Sequence, residues 1–429
     1  MAEIIPFRGA LYNTQEVSGE DVVAPPYDII TPEYKEHLYS KSPYNIVRID
    51  FGKELENDSE ADNKYTRAAA YLNSWLESKI LLSSKNPAFY VYGVDYRIKD
   101  QTKRLRGLFA LVKIEELGKG SIYPHECTHS KPKADRLSVI RACNGNISPI
   151  FSLYNSPERK ASEVIEQTMR TDSPYIEAKD ADGAVHRLWI IEDKRAIEII
   201  KNDISGRSVF IADGHHRYET ALEFQKEMKF KGEGGIMKAE KGENNLHPSS
   251  FVLHPYDYVL MFLANISDEG LTILPAHRLV KNVPDNTLSI LSKHFDMETI
   301  LPSTMEEKLF KHEHAIGFFQ RGDKQQYLLH YRDEDIKDIH PALRALDVTV
   351  LHELIFNRLL KVTDIEYEMD IKETMERVNK GLYDAAFFLN PTRVKDVERV
   401  AISSVRMPPK STYFYPKLLT GMVIYKFSG

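Results

Sequence analysis

The chain has 429 residues, of which 42% are hydrophobic and 28% charged, and its formal net charge is −6. This length exceeds one average domain, so we expect two or three packed domains, and the negative balance argues against nucleic acid or an anionic membrane as partner. Two cysteines, Cys127 and Cys143, are too few for a disulfide framework and indicate a reducing cytoplasm. The N-terminal residues lack a signal-peptide pattern, and the longest apolar run, YVLMFLANI (258–266), is too short to cross a membrane. We therefore expect an unprocessed cytoplasmic protein.

The first half of the chain is predicted to alternate loops, strands and helices. VVAPPYDIITPEY (22–34) indicates an extended loop, because proline is excluded from a helix interior. Alternating apolar and polar residues in NIVRIDFG (45–52) predict a half-buried strand. The other elements predicted in this half are a helix over 63–81, strands over 88–98 and 102–117, a polar loop over 121–137, a strand over 148–155 and a helix over 156–170.

The second half continues this alternation and then restarts it. Its predicted elements are a strand over 183–191, a helix over 192–203, a strand over 208–212, a helix over 215–229, strands over 256–266 and 270–280, a helix over 285–295, a hairpin over 314–333, a helix over 347–360, a strand over 385–392 and a helix over 393–404. The Gly-, Lys- and Glu-rich stretch 229–250 is typical of an insertion or lid. These elements predict an α+β fold with a mixed sheet, divided into an N-terminal region (1–284) and an additional C-terminal α/β region (285–429).

One motif, DGHHRY (213–218), lies where a strand is predicted to become a helix. Gly214 permits a ligand to approach closely, and the N–H groups and dipole of a new helix attract an anion. His215, His216 and Arg217 oppose that dipole, which is easier to understand if a phosphate neutralises them. Asp213 is a candidate helix cap. Two alternatives remain: a capped surface helix with solvated histidines, and a metal site formed by both histidines, Asp213 and distant His125, although adjacent histidines lack the HExxH spacing.

A second constellation spans residues 123–151 and concentrates polar groups in a predicted loop before a strand. Its lysine and arginine side chains suit phosphate, and its carboxylates suit a base or a metal ligand. The polar residues of interest here are His125, Glu126, Lys133, Asp135, Arg136, Asn146 and Ser148. A solvated polar loop is the alternative interpretation, and Cys127 is expected to be structural.

Two further motifs are rigid and proline-rich. MPPKSTYFYPK (407–417) offers Lys410, Ser411 and Thr412 beside aromatic residues, and APPYD (24–28) ends in the candidate carboxylate Asp28. A C-terminal strand docked on the core is the alternative for the first of these motifs.

Taken in order, APPYD, PHECT, KADRL, NISPIF, ADGHHRYETAL, LPAHRLV and MPPKSTYFYPKL resemble the family known as domain of unknown function 1015, from about residue 3 to residue 426. Within it, DGHHRY is similar to the phosphate-binding turn of the ParB/sulfiredoxin-like superfamily, which includes ADP-dependent free-serine kinases. This resemblance implies a ParB/sulfiredoxin-like core, phosphate on the Gly214 backbone and on His215, His216 and Arg217, and a link to phosphoserine and serine biosynthesis.

The leading hypothesis is a phosphoryl-transfer enzyme, a phosphatase or an ADP/ATP-dependent kinase, that acts on phosphoserine or a similar small phosphorylated amino acid. Mg²⁺ is a plausible cofactor, because carboxylates near phosphate commonly recruit it. The candidate catalytic residues are His125, Glu126, Asp135 and His216. The candidate phosphate- or substrate-binding residues are Asp213, Gly214, His215, Arg217, Lys133, Arg136, Asn146, Ser148, Lys410, Ser411, Thr412 and Asp28. The alternatives are a nucleotide-responsive regulatory protein of the ParB-like type and a metal-dependent hydrolase.

Overall fold

A computed structural model describes residues 2–126, 130–239, 254–332 and 335–427 of the chain. The strands are β1 (Ile4–Ile5), β2 (Ala10–Tyr12), β3 (Leu81–Ser83), β4 (Phe89–Ile98), β5 (Gln101–Lys113), β6 (Ile122–Tyr123), β7 (Gly145–Asn146), β8 (Ile150–Tyr154), β9 (Ile176–Lys179), β10 (Val185–Ile191), β11 (Val209–Asp213), β12 (Tyr258–Asn265), β13 (Thr272–Leu274), β14 (His277–Val280), β15 (Phe295–Ile300), β16 (Ala315–Gln320), β17 (Gln326–Tyr331), β18 (Ile365–Glu368), β19 (Ala385–Phe388), β20 (Tyr413–Tyr415) and β21 (Tyr425–Lys426).

The α-helices are α1 (Gly19–Val22), α2 (Pro32–Lys41), α3 (Val47–Asp50), α4 (Lys64–Glu77), α5 (Ser130–Cys143), α6 (Lys160–Thr171), α7 (Lys194–Ile204), α8 (His215–Ala239), α9 (Thr287–Leu291), α10 (Met305–Lys311), α11 (Pro341–Arg344), α12 (Asp347–Thr349), α13 (Ile371–Asn379) and α14 (Val394–Ile402). Short 3₁₀ turns lie at Tyr27–Ile29, Pro255–Asp257 and Pro302–Thr304, and a π-helix lies at Val350–Leu360. Within the described residues, none of the helices combines the length and the apolar character needed to cross a membrane.

The contacts of the chain form two compact units. The larger unit comprises Met1–Tyr123, Thr128–Leu271 and Pro416–Gly429, and the smaller unit comprises Pro124–Cys127 and Thr272–Tyr415. The division after residue 284 that the sequence indicates stays a prediction about domains. The α+β class and the mixed sheet are confirmed, as the strand pairing of the larger unit makes plain.

A nine-stranded mixed sheet forms the centre of the larger unit, in the order β6-β11-β8-β12-β5-β4-β10-β9, with β1 added beside β5. The β11/β6 and β12/β8 pairs are parallel, and the other pairs are antiparallel. Alternate residues of β5 and β12, such as Leu108 and Met261, face the apolar residues of α6, α7 and α8. Phe109 and Phe262 point to the opposite face, where their rings lie 5.5 Å apart. Both faces of the central strands are therefore buried.

The smaller unit contains a six-stranded antiparallel sheet in the order β15-β17-β16-β19-β14-β18. Its core packs Leu279, Phe319 and Phe388 from the sheet against Leu309 of α10 and Val378 of α13. The predicted hairpin over 314–333 is confirmed as β16 and β17, with the turn glycine Gly322 at φ +82°.

Three sequence-based predictions need correction. NIVRIDFG is not a strand, since residues 47–50 form the short helix α3. The loop predicted over 121–137 contains the start of helix α5, so Lys133, Asp135 and Arg136 are helical. The backbone of the predicted insertion over 229–250 continues helix α8 as far as residue 239. The rest of that insertion and Cys127 lie outside the described residues.

Tyr218 ties α8 to the end of β5. Its hydroxyl accepts a hydrogen bond from Glu115 N at 2.9 Å and donates one to Glu115 O at 2.7 Å. The ring is fully buried, at 0% exposure. This residue therefore fixes the first turn of α8 against the sheet.

We expect Tyr218→Phe to lower the free energy of unfolding by about 1–3 kcal/mol, because two partly buried backbone groups of Glu115 lose their partner. Urea denaturation followed by circular dichroism measures this. Tyr256→Phe is the matched control, because the half-buried Tyr256 ring stacks on His254 and its hydroxyl makes no hydrogen bond within the described residues. Equal denaturation midpoints for Tyr218→Phe and Tyr256→Phe would contradict the anchoring role.

Candidate functional site

The turn between β11 and α8 has an unusual backbone. The β11/β8 pairing shifts register between Ile211 and Asp213, and Gly214 follows with φ +94°. Gly214 O accepts the first helical hydrogen bond, from Tyr218 N at 3.1 Å. A bulge followed by a left-handed residue turns the chain sharply from strand to helix. The sequence-based placement of Gly214 at this junction agrees with the described backbone.

Arg217 folds back over Gly214. A Cβ atom on residue 214 would lie 2.8 Å from Arg217 Nε, so any larger residue would displace the guanidinium. Arg217 Nη1 donates to Pro149 O, and Nη2 lies 3.9 Å from Asp213 Oδ1. The Arg217 side chain is 11% exposed. The cation at the start of α8 is thus held at the turn by specific contacts.

Antiparallel pairing of β8 with β11 explains why two distant motifs meet here. Phe151 pairs with Asp213, so the start of β8 lies beside the end of β11. Ser148 and Pro149, which precede β8, consequently lie next to the turn at Gly214. A small cavity in the larger unit is lined by side chains that include Asp50, Arg136, Asn146, Ser148 and Arg217.

Arg136 is the most heavily bonded charge of this cavity. Its Nη1 donates to Asp50 Oδ1 at 2.9 Å, its Nη2 to Asp50 O at 2.7 Å, and Nη2 and Nε reach Asp135 Oδ2 at 2.6 and 3.0 Å. The guanidinium carbon lies 4.1 Å from the centre of the Tyr27 ring. Arg136 is 4% exposed, so these contacts replace the solvation of a buried cation.

One carboxylate oxygen of Asp50 takes no part in these hydrogen bonds. Its Oδ1 accepts from Arg136 Nη1 and from Ser148 Oγ at 3.2 Å. Its Oδ2 is buried and makes no hydrogen bond within the described residues, while the Asp50 residue as a whole is 3% exposed. A buried carboxylate oxygen without a donor is costly. Oδ2 is therefore suited to accept a proton or a hydrogen bond from a ligand.

Asp135 has a different electrostatic environment. Burial raises its pKa, but Arg136 and Lys64 outweigh burial and hold the pKa at about 2. Its Oδ1 also accepts from Tyr65 Oη at 2.9 Å. A carboxylate that is this fully bonded is a weak base at neutral pH. The geometry favours a role for Asp135 in holding Arg136.

The other predicted residues of the larger unit take varied positions. Lys133 Nζ lies 3.0 Å from Glu219 Oε2, which links α5 to α8. Asn146 Oδ1 accepts from Leu260 N at 3.0 Å. His215 is 6% exposed, which argues against a helix start with fully solvated histidines, whereas His216 is half-buried. Asp28 is exposed in the turn Tyr27–Ile29.

Lys417 is a site residue that the sequence analysis did not select. Its Nζ lies 3.0 Å from Asp213 Oδ2, and its side chain is 13% exposed. Asp50 was also missed, because NIVRIDFG was interpreted as a strand. Both had a signal: Lys417 lies within MPPKSTYFYPKL, and Asp50 is an acidic residue between the apolar residues Ile49 and Phe51.

The remaining predicted residues lie together in the smaller unit. His125 Nε2 is 2.9 Å from Thr412 Oγ1, and Glu126 Oε1 accepts from Thr412 N at 3.3 Å and from Thr412 Oγ1 at 3.1 Å. Ser411 Oγ donates to Pro408 O at 2.6 Å, and Lys410 is exposed with φ +55°. His125 and Glu126 are therefore brought into contact with MPPKST, as a hydrogen-bonded group around Thr412.

A metal site needs several His, Cys, Asp or Glu side chains that lie close together. Among the residues that the structure describes, no three or more His, Cys, Asp or Glu side chains are grouped so as to hold a metal ion. Mg²⁺ commonly uses only one or two carboxylates together with water and substrate phosphate, so Mg²⁺ stays a prediction for this chain.

Comparison with protein families gives one decisive match. The model of the family described as "Protein of unknown function (DUF1015)" matches residues 4–349. The chain belongs to this DUF1015 family. A search of curated proteins gave no significant match.

Solved structures that resemble this DUF1015 chain do so distantly. A variant free serine kinase in complex with AMP shares 12% identity, covering 72% of this chain and 98% of its own, with a TM-score of 0.36. A conserved hypothetical protein from Pyrococcus furiosus shares 14% identity, covering 68% and 87%, with a TM-score of 0.33. SbnI with a C-terminal truncation from Staphylococcus aureus shares 13% identity, covering 73% and 85%, with a TM-score of 0.35.

The Asp135 carboxylate of this DUF1015 protein predicts a pH dependence of stability. Its folded pKa is depressed from 3.8 to about 2, so its contribution is present above the unfolded pKa and is lost as the pH falls through the folded pKa. We expect Asp135→Asn to lower the free energy of unfolding by about 2 kcal/mol at pH 7. The difference from wild type should shrink between about pH 5 and pH 2. Urea denaturation of both proteins across this pH range measures the difference in their free energies of unfolding. A difference that does not change with pH would contradict the depressed pKa of Asp135.

Thr412 gives a second prediction for the DUF1015 chain. Thr412→Val removes the hydroxyl that contacts His125 Nε2 and Glu126 Oε1, so we expect a loss of about 1–3 kcal/mol in the free energy of unfolding. Thr412→Ser keeps the hydroxyl and should recover most of that loss. Thermal denaturation of the three proteins side by side tests this. If Thr412→Val unfolds at the same temperature as wild type, the hydroxyl does not contribute measurably to stability.

Proposed function

We propose that this chain is a phosphoryl-transfer enzyme that acts on phosphoserine or a similar small phosphorylated amino acid, with its reaction centre at the β11/α8 turn. One observation carries the proposal. Arg136 and Arg217 line the same small cavity as Asp50, whose Oδ2 lacks a hydrogen bond within the described residues. Cationic groups beside an acceptor without a donor favour a ligand at this turn that bears both a phosphate and a hydroxyl or ammonium group.

The phosphate is assigned to the turn. Arg217 offers a guanidinium beside Gly214, and the first N–H groups of the 25-residue helix α8 lie at the same place. Arginine and helix N-termini both favour phosphate oxygens. In this proposal Arg217 exchanges its bond to Pro149 O for bonds to the phosphoryl group. Arg136 is committed to Asp50 and Asp135 and acts by positioning Asp50.

The proposed chemistry uses Asp50 Oδ2 as the proton acceptor. In the phosphatase direction, water forms a bond to phosphorus and gives its proton to Asp50, while the bond from phosphorus to the serine oxygen breaks. In the kinase direction, the serine hydroxyl gives Asp50 its proton and forms a bond to the terminal phosphorus of ADP or ATP, while the bond from that phosphorus to the bridging oxygen breaks and AMP or ADP leaves. His216, one residue before Arg217, is the candidate donor to the leaving oxygen. Lys133 and His215 remain proposed contributors at this turn, and ADP or ATP comes from the resemblance of DGHHRY. The catalytic roles of His125 and Glu126 stay predictions.

The test offers the full chain the substrates of both the phosphatase and the kinase reaction. O-phospho-L-serine alone is assayed for released phosphate, and L-serine with ADP or ATP and Mg²⁺ is assayed for O-phosphoserine. Phosphate release identifies a phosphatase, and nucleotide-dependent phosphoserine identifies a kinase. If neither product forms, the enzyme proposal fails, and a gel shift on mixed DNA with and without nucleotide tests the regulatory alternative.

Two variants test whether Arg217 and Asp50 form the reaction centre. We expect Arg217→Ala to lower kcat/KM by about 100-fold, because a preorganised phosphate partner is lost, and Asp50→Asn to lower kcat by about 100-fold or more, because the proton acceptor is lost. Arg141→Ala is the control: Arg141 lies on α5, is 49% exposed and pairs with Glu227 on the surface. That control should stay within about twofold of wild type. Activity retained by both Arg217→Ala and Asp50→Asn would move the reaction centre elsewhere.

A further inference from the structure

The smaller unit contains a larger cavity than the one beside α8. Its volume is about 450 Å³, within the range of small-molecule pockets. Apolar side chains, among them Leu346, Val348 and Leu389, form part of its wall. Arg278, Arg393 and Arg399 also line it. The cavity thus combines an apolar surface with three guanidinium groups.

Arg278 is the unusual member of this set. It is 1% exposed, and its three hydrogen bonds go to neutral acceptors: Ala276 O, Lys410 O at 2.9 Å and His352 Nε2 at 3.3 Å. Burial, reinforced by Arg278, lowers the pKa of His352 to about 3, so the imidazole is neutral and can accept. Within the described part of the chain, no carboxylate lies within ion-pair distance of Arg278. The guanidinium carbon lies 5.3 Å from the centre of the Tyr367 ring, and the Glu126 carboxylate attracts the charge from beyond ion-pair distance. A buried cation without an ion pair is nevertheless energetically costly.

The acidic groups of the cavity already have other partners. Glu313 Oε1 pairs with Arg393 at 2.6 Å, Asp396 Oδ1 with Arg399 at 2.8 Å, and Asp347 Oδ1 with His314 at 3.3 Å. Arg393 and Arg399 are 57% and 47% exposed, so their pairs with acidic residues contribute little and exchange readily. The pairing leaves Arg278 as the cation whose charge these carboxylates do not neutralise.

We propose that this cavity binds a small organic anion, with the anionic group against Arg278 and with Arg393 and Arg399 closing around it. A phosphate or a carboxylate supplies the required charge, and the apolar wall accommodates the carbon skeleton that bears it. This site consists entirely of residues of the smaller unit and does not depend on the phosphoryl-transfer proposal. It gives the smaller unit a ligand of its own.

Isothermal titration of the full chain with inorganic phosphate and, separately, with citrate tests the site and distinguishes the two kinds of anion. Each titration is repeated in the Arg217→Ala variant, so that binding at the β11/α8 turn is not counted. We expect at least one of the two anions to bind in both proteins. Arg278→Met should weaken that binding about tenfold or more, because a charged hydrogen-bonding partner is lost.

Because Arg278 also bonds two backbone carbonyls, its variant has to be checked for folding by circular dichroism. The double variant Arg393→Ala/Arg399→Ala alters only exposed residues and should weaken binding about tenfold. Arg321→Ala is the matched control, since Arg321 is 53% exposed, pairs with Asp384 and lies away from the cavity lining. The proposal is overturned if neither anion binds, if binding disappears in Arg217→Ala, or if the double variant binds as tightly as Arg321→Ala.

Discussion

The candidate site of the larger unit depends on one buried guanidinium. Arg136 is out of water and has to be neutralised within the protein, so it fixes the positions of Asp50, Asp135 and Tyr27 around it. These residues come from a short N-terminal helix, from α5 and from a proline-rich turn. The charge requirement of a single side chain therefore draws separate segments into one cavity. Loss of Arg136 would leave the Asp50 carboxylate buried without its strongest partner, and the segments would have no electrostatic reason to meet.

The two units show opposite imbalances of buried charge. Beside α8, the carboxylate of Asp50 retains an acceptor oxygen without a hydrogen bond in the described residues. In the smaller unit, the cation of Arg278 has hydrogen bonds but no ion pair within the described residues. Both arrangements are energetically costly, and a ligand that supplied the missing partner would offset that cost. The first suits a donor group next to phosphate, and the second suits an anion.

The parts of the fold that the sequence predicted are those with strong local signals. The hairpin of β4 and β5 follows from two long apolar runs separated by a polar turn, and α4 follows from apolar residues at helical spacing. In the structure Asn63 caps the start of α4. The turn at Gly214 was equally local, because a short apolar strand, a glycine and an amphipathic helix follow one another. Failures occurred where tertiary contacts override local pattern. Residues 47–50 alternate like a strand, yet they form a helical turn that delivers Asp50 to Arg136.

The candidate site shows the same division between local and tertiary information. Composition and motif identify Arg136, Ser148 and Arg217 as polar residues of interest, but the polar character of KADRL predicts a loop where the structure has the helix α5. Its side chains face a charge cluster, which amphipathic periodicity does not reveal. Asp135 was a candidate base by residue type alone, and only its three bonded neighbours show that its pKa is held at about 2.

The sequence by itself determined the α+β class, the strand-to-helix turn at Gly214 and the family, because periodicity, glycine chemistry and short motifs are local properties of the chain. The tertiary structure alone decided that NISPIF lies beside DGHHRY, through the antiparallel pairing of β8 with β11. It also decided that, within the described residues, Asp50 keeps a buried oxygen without a donor and Arg278 is buried without an ion pair. Both depend on which distant groups surround a charge, and no local pattern specifies the partners of a buried charge.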